Sequence, residues 1–426
     1  MSRWRDRAGH RPRRWQGAFA TRDFRLLFAG QATSLLGDGI VPVAVAFAVL
    51  ELTGSATALG LVLAAGSVPT VLLVLVGGVT ADRLSRRRVM QVSDAVRAAT
   101  QGTIAVLLLT DAAELWHMIV LTGVWGTAAA FFRPAYSGIV PEVVAPEHLQ
   151  QANGLLGVSR NLGTILGPAV AGVLVATIGP GWAFAVDAAT FAVSAICVAA
   201  MSQVRTSASG SSETMLTELR EGWVEFTSRG WLVAVVVWAA LFHFAVLAPF
   251  QVLGPVVAES SLGGAGAWGV ISAALGAGSV TGGLIALRLR VTRPMVTACI
   301  GLVTFAAPLA LLAIPASTAA IATGALFAGA GVSVFGVLFT TVMQEQVPLE
   351  SLSRVSAYDW LGSLALLPVG LAIVGTVADS TSPSAVLMFG AIWMVASTIA
   401  VLCFVGVRRI TSGSVVAPPA WQPGNP

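Results

Sequence analysis

Twelve apolar stretches, each near the twenty residues a helix needs to cross a bilayer, fill most of this chain and leave it few other ways to fold. Six come early, at about 26–50, 56–79, 89–110, 115–138, 151–177 and 182–201. Six more follow, at about 231–257, 268–287, 295–314, 318–340, 357–377 and 385–407. A polar stretch, 202–230, separates the two sets. Lipid offers a backbone no hydrogen-bond partner, so segments of this kind become helices. The expected fold is an all-α membrane protein of twelve transmembrane helices in two six-helix bundles related by pseudo-two-fold symmetry. Its divisions are a tail (1–25), an N-terminal bundle (26–201), a linker (202–230), a C-terminal bundle (231–407) and a second tail (408–426).

Composition agrees. Charged residues make up 10% of the chain, against about 25% in soluble domains that must keep a surface hydrated. All 24 cationic residues counted as lysine or arginine are arginine. Without lysine there is no P-loop of the Walker type and no lysine Schiff base, which excludes ATP-driven and retinal chemistry by those routes. Cys197, Cys299 and Cys403 lie in separate apolar runs at no metal-ligand spacing and read as packing residues. No metal, cofactor, enzyme activity or nucleic acid is expected.

Arginine placement orients the spans. Arg3, Arg5, Arg7, Arg11, Arg13, Arg14, Arg22 and Arg25 precede the first span, and Arg83, Arg86, Arg87 and Arg88 follow the second. Arg205, Arg220 and Arg229 lie in the linker, Arg288, Arg290 and Arg293 follow the eighth span, Arg354 the tenth, and Arg408 and Arg409 the twelfth. The alternate loops near Glu51, Asp111, Gly179, Ser260, Pro315 and Ser380 hold none. By the positive-inside rule both tails are expected in the cytoplasm, with the chain a multi-pass plasma-membrane protein. The arginine-rich N-terminus lacks the apolar core of a cleaved signal.

The halves share local pattern. Residues 145–149 before the fifth span resemble 348–352 before the eleventh, and at the same offset Gly167 and Gly172 fall on Gly370 and Gly375. In the linker, Leu216, Leu219, Trp223 and Phe226 recur at helical spacing, which predicts an amphipathic helix at the membrane surface.

Two motifs carry mechanism. The first is Gly78, then Asp82 and Arg83, then Arg86 and Arg87, on the loop after the second span. An aspartate there could pair with an arginine or cap a helix and latch one conformation; simple anchoring by positive charge is the alternative. The second is Gly163, Gly167, Pro168 and Gly172 in the fifth span, where small residues four apart permit close helix approach and the proline bends the helix. The first resembles the signature loop of the major facilitator superfamily, with Ser85 in place of a usual glycine. The second resembles the antiporter-type motif of its export branches, with Ala171 replacing one glycine. Together with Gly37, Asp38 and Gly39, and with Asp94, Arg97 and 146–153, the pattern is similar to macrolide-efflux and enterobactin-type exporters. The resemblance implies a gating loop, alternating access and export.

Charges inside spans are costly, about 2.5–3.5 kcal/mol each on insertion scales, so each needs a partner or a cavity. Asp38 sits mid-span between glycines and could load and release a proton, or bond a neighbouring helix. Asp187 and His243 are further proton-coupling candidates; packing or a solvent vestibule would also explain them. Asp94 and Arg97, three apart near the inner end of the third span, read as a gating network with the arginine-rich loop. Arg133 and Arg160, near the inner ends of the fourth and fifth spans, read either as part of that network or as arginines snorkelling to the interface. Asp359 is expected at the interface. Trp238, Phe242, Phe244, Phe250 and Phe335 are candidates to line an aromatic cavity. The expected function is proton-coupled export of a hydrophobic or amphiphilic small molecule by a monomer in the lipid bilayer. Uptake of a small metabolite is the alternative, and a non-transporting scaffold the third reading.

Overall fold

A computed structural model describes residues 17–202 and 215–411. Expectations for Arg3 to Arg14, for Arg205 and for the C-terminal tail beyond 411 lie outside these residues, as do the side chains of Gly78, Asp82, Arg83, Leu216 and Leu219.

The described chain is helical, without a strand, and twelve helices are long and apolar enough to cross a membrane. They are α1 (Arg22–Thr53), α2 (Ala56–Arg83), α3 (Arg86–Leu109), α4 (Leu115–Val143), α5 (Leu149–Ile178) and α6 (Pro180–Ala199). After a linker helix (Met215–Thr227) come α7 (Gly230–Leu262), α8 (Ala265–Ala286), α9 (Pro294–Ala313), α10 (Thr318–Gln346), α11 (Arg354–Ser380) and α12 (Pro383–Cys403).

Turn chemistry sets where the helices stop. Gly54 adopts a left-handed φ of 62° and donates its N–H to the Leu50 carbonyl, closing α1. Ser55 then caps α2, accepting from the Ala58 amide at 3.2 Å. Leu72, Ile196 and Leu287 lie well exposed on the helices, as expected where the solvent is lipid rather than water.

The pairing of helices repeats in the two halves. α2 packs on α4 and α8 on α10; α3 packs on α6 and α9 on α12. Glycines set these seams. A Cβ on Gly126 would lie 2.1 Å from the Gly66 carbonyl oxygen, and one on Gly282 2.3 Å from that of Ala330. Between halves, α5 meets α8 and α2 meets α11.

These cross-half seams favour one face of the bundle. Thr57 donates to Asp379 at 2.8 Å, a Cβ on Gly60 would meet the Leu371 carbonyl, and Gly172 opposes Gly269. All but Leu371 lie near the ends of their helices remote from the arginines. Toward the arginine-rich face, Gly154 and Gly157 of α5 and Gly336 of α10 front open space. The halves therefore meet from the far face inward as far as Gly276 against the Thr164 carbonyl, while these three glycines toward the face bearing Arg22, Arg86 and Arg408 have no neighbour within 4 Å.

The linker helix docks on the C-terminal half. Phe226 is buried, and Trp223 and Phe226 stack near Tyr358 with ring centroids 5.4 and 6.1 Å away. Its apolar stripe is thus spent partly on α11 as well as on any membrane surface.

Candidate functional site

The Gly37-Asp38-Gly39 run on α1 shows how the sequence builds the site. A Cβ on Gly37 would fall 2.2 Å from Oδ1 of Asp187, so this glycine admits the α6 carboxylate against the α1 backbone. A Cβ on Gly39 would fall 2.3 Å from the Gly163 carbonyl oxygen, and one on Gly167 2.5 Å from the Gly39 Cα. α1 is therefore clamped between α5 and α6, and the residue between the two glycines carries a carboxylate.

The antiporter-type motif divides its work. Gly163 and Gly167 face α1 within their own half, whereas Gly172 faces Ala265 and Gly269 of α8 across the halves. Substituting Gly167→Ala is expected to cost about 1–3 kcal/mol, because two backbones must move apart. Gly157→Ala, which meets nothing, is expected to be neutral or slightly stabilising. Thermal melts of the two purified variants check this; equal midpoints would contradict the seam.

Behind α1 lies a buried polar ladder between α3 and α6. Arg97 pairs with Asp94 one turn earlier, and Ser194 Oγ donates to Asp94 Oδ2 at 2.7 Å. Gln31 Nε2 reaches the same serine at 3.4 Å. The Arg97 guanidinium is sandwiched between the Phe132 and Phe191 rings, 4.0 and 4.3 Å from their centroids. One layer deeper, Gln101 Nε2 donates to Asp187 Oδ2 at 2.7 Å, and Thr190 Oγ1 donates to the Asp187 carbonyl at 2.7 Å. Asp94, Arg97, Gln101, Asp187 and Ser194 are all buried.

Asp38 differs from these carboxylates. It is half-buried and makes no hydrogen bond or ion pair with a described residue. It lies within electrostatic reach of Arg97 and Arg133, and Arg133 within reach of Arg160. Arg133 and Arg160 are exposed on α4 and α5. Among the described residues the structure gives no bond from Asp38 to a neighbouring helix.

Of the other candidates, Asp187 lies within electrostatic reach of Asp38 and the rest fall elsewhere. Asp187 is fully buried rather than in a vestibule. His243 lies in the other half, on a π-helical turn (His243–Leu247), with Nδ1 2.7 Å from the Ala239 carbonyl. Asp359 is half-buried and accepts from Ser363 at 3.3 Å. The aromatic cavity is corrected: Trp238, Phe242 and Phe250 are packed into the C-terminal core, with the Trp238 indole donating to Ser397. Phe335 stacks on Phe339 beside them, and Phe244 is half-buried. Buried apolar rings stay in a core because that removes them from any solvent.

On the arginine-rich face, Arg86 donates to the Gly138 carbonyl at 3.0 Å and to Glu142 at 2.5 Å, joining α3 to α4. Arg87 donates to the Val198 carbonyl at 2.9 Å and to that of Ala199, closing the last turn of α6. Gln101, Thr190, Ser194, Phe132, Phe191 and Glu142 carried no sequence signal that reached them. A polar residue at helical spacing from Asp94 or Asp187 was the available clue.

Comparison with known proteins places this geometry. The sequence matches a family described as transmembrane secretion effector over residues 16–423. Macrolide efflux protein A of Streptococcus pyogenes is 24% identical over 366 residues, covering 84% of this chain and 89% of that protein. The multidrug efflux pump Tap of Mycolicibacterium fortuitum is 28% identical over 379 residues, covering 83% and 88%. The uncharacterized MFS-type transporter YfiS of Bacillus subtilis (strain 168) is 32% identical over 171 residues, 40% of each chain. A mutant of the nucleoside transporter NupG superposes with a TM-score of 0.75 at 13% identity, over 90% of this chain and 99% of that one, a likeness of fold alone. With a family match across nearly the whole chain, a twelve-helix fold shared with solved transporters, and efflux proteins among its relatives, the chain belongs to the transmembrane secretion effector family of major facilitator superfamily transporters.

Proposed function

We propose that the chain exports a hydrophobic or amphiphilic small molecule in exchange for protons, with the arginine-rich face and both tails in the cytoplasm. The carrying observation is Asp38, a half-buried carboxylate without a hydrogen-bond partner among the described residues, set at the α1–α5 seam and within the field of Arg97 and Arg133. The relatives named for macrolide and multidrug efflux favour export as the direction.

The chemistry follows from charge. Ionised, Asp38 is held by the field of Arg97 and Arg133; protonated, it is neutral and no longer offsets Arg133, while Arg97 keeps its pair with Asp94. Each state favours a different packing of α1 against α4 and α5. A proton taken from the far side and released to the cytoplasm would then drive the swing between two access states. The Asp94–Arg97 ladder holds α1, α3 and α6 as one body during that swing, and Arg86 with Glu142 ties α3 to α4.

Everted vesicles carrying the protein are expected to accumulate a fluorescent dye or antibiotic when energised, and a protonophore to abolish it. Asp38→Asn is expected to reduce this uptake to the level of empty vesicles while the protein elutes as a single folded species. Undiminished gradient-driven uptake in Asp38→Asn would remove the carboxylate from the coupling role.

A further inference from the structure

Three consecutive arginines open α3, and the structure uses two of them. Arg86 and Arg87 bind α4 and α6 as described above, while Arg88 is exposed and forms no hydrogen bond or ion pair with a described residue. Its charge lies at the mouth of a groove of about 540 Å³. The walls are the end of α2 (Thr80, Leu84) and the first three turns of α3 (Val92, Val96), and the floor is α4 (Val124, Phe131).

The α2–α4 seam backs the groove. α2 and α4 are sealed behind it by Gly126 on Gly66 and by Gly77, whose Cβ would lie 2.5 Å from the Ala130 carbonyl oxygen. It opens on the flank of the bundle, where Leu84 and Val92 are 55% and 63% exposed. Arg88 to Val96 spans eight residues, about 12 Å along the helix. That is close to the depth of one leaflet of a hydrocarbon core about 30 Å thick.

The mouth suits an anion for a second reason. α3 is 24 residues long, and Ser85 at its N-cap makes no side-chain cap bond, so the first-turn amides and the positive end of the helix dipole face the same place as Arg88. Aliphatic walls one leaflet deep, beneath a mouth with an uncommitted guanidinium, match an amphiphile with an anionic head.

We infer that this groove is a binding site for an anionic phospholipid of the leaflet on the arginine-rich face. Its phosphate sits between Arg88 and the α3 N-terminus, and one acyl chain lies along Val92 and Val96. The lipid fills the gap between α2 and α3, which scarcely touch directly.

The test is native mass spectrometry of the delipidated full-length protein, titrated separately with dioleoyl-phosphatidylglycerol, dioleoyl-phosphatidylethanolamine, glycerophosphoglycerol and inorganic phosphate. One phosphatidylglycerol is expected to bind about fivefold or more tightly than phosphatidylethanolamine, the gain one arginine supplies near a lipid headgroup. The two headgroup probes are expected not to bind. Arg88→Gln should abolish the preference, Arg88→Lys should retain it, and Val92→Trp, which fills the groove from an exposed position, should weaken both lipids. Arg290→Gln, an exposed arginine elsewhere on the same face, should change nothing. Equal affinity for the two lipids, a preference that survives Arg88→Gln, or an equal loss in Arg290→Gln would overturn the site. Binding of the headgroup probes as tight as that of the lipid would overturn it too, reducing it to an anion site.

Discussion

Cysteines introduced by Thr57→Cys and Thr376→Cys are expected to cross-link on mild oxidation and to stop transport, with full recovery on reduction. The two hydroxyl oxygens lie 3.5 Å apart across the α2–α11 seam, and sulfurs in their place need only a small shift to reach the bond length of about 2.05 Å. The background replaces Cys197, Cys299 and Cys403, of which Cys299 is buried and best changed to alanine. The effect should be near-total because alternating access requires the far-face clasp to open once per cycle. A covalent bond there would keep the α2–α11 seam closed. Dye accumulation in everted vesicles, before and after reductant, is the measurement. Cross-linked protein that transports at the native rate would mean that this seam never parts.

The second large effect is expected from Arg97→Ala. Removing the guanidinium leaves Asp94, which is fully buried, with only the Ser194 hydroxyl for company. Breaking a buried ion pair from one side costs about 3–5 kcal/mol, since the remaining charge keeps its desolvation penalty without its partner. Phe132 and Phe191 also lose the cation held between their faces. The variant should melt far below the native protein in fluorescence-detected size exclusion. The double variant Asp94→Asn/Arg97→Gln should recover most of the loss, because a neutral pair of similar shape pays no such penalty. A native-like melt for Arg97→Ala alone would show that the pair does not hold α3 in place.

The gating expectation for Asp94 and Arg97 was half legible. Their spacing of three predicts one helix face, and the structure pairs them. Their partner Ser194 lies 100 residues away on α6, and nothing local in the sequence could choose it from the other serines. Gly37 and Gly39 illustrate the same limit. Flanking an acidic residue, they mark α1 as unusual, but only the packed helices reveal that one admits Asp187 and the other α5. For Trp238, Phe242 and Phe250 the cavity reading failed because composition cannot tell a ring that lines a cavity from one that fills a core. Trp238 and Phe250 proved to be core.

Length, apolarity and the scarcity of charge in each run were enough to determine twelve helices, since a backbone in lipid has no other way to satisfy its amides. The alternation of arginines between loops likewise marked one face, because charge and hydrophobic length are properties of single segments. Where the two halves meet, that Asp38 has no hydrogen-bond partner among the described residues, and that of Arg86, Arg87 and Arg88 only the first two bind described residues were decided only in three dimensions. Each of these depends on which residue of a distant helix arrives opposite. That is set by close packing of the whole bundle, and no segment carries it alone.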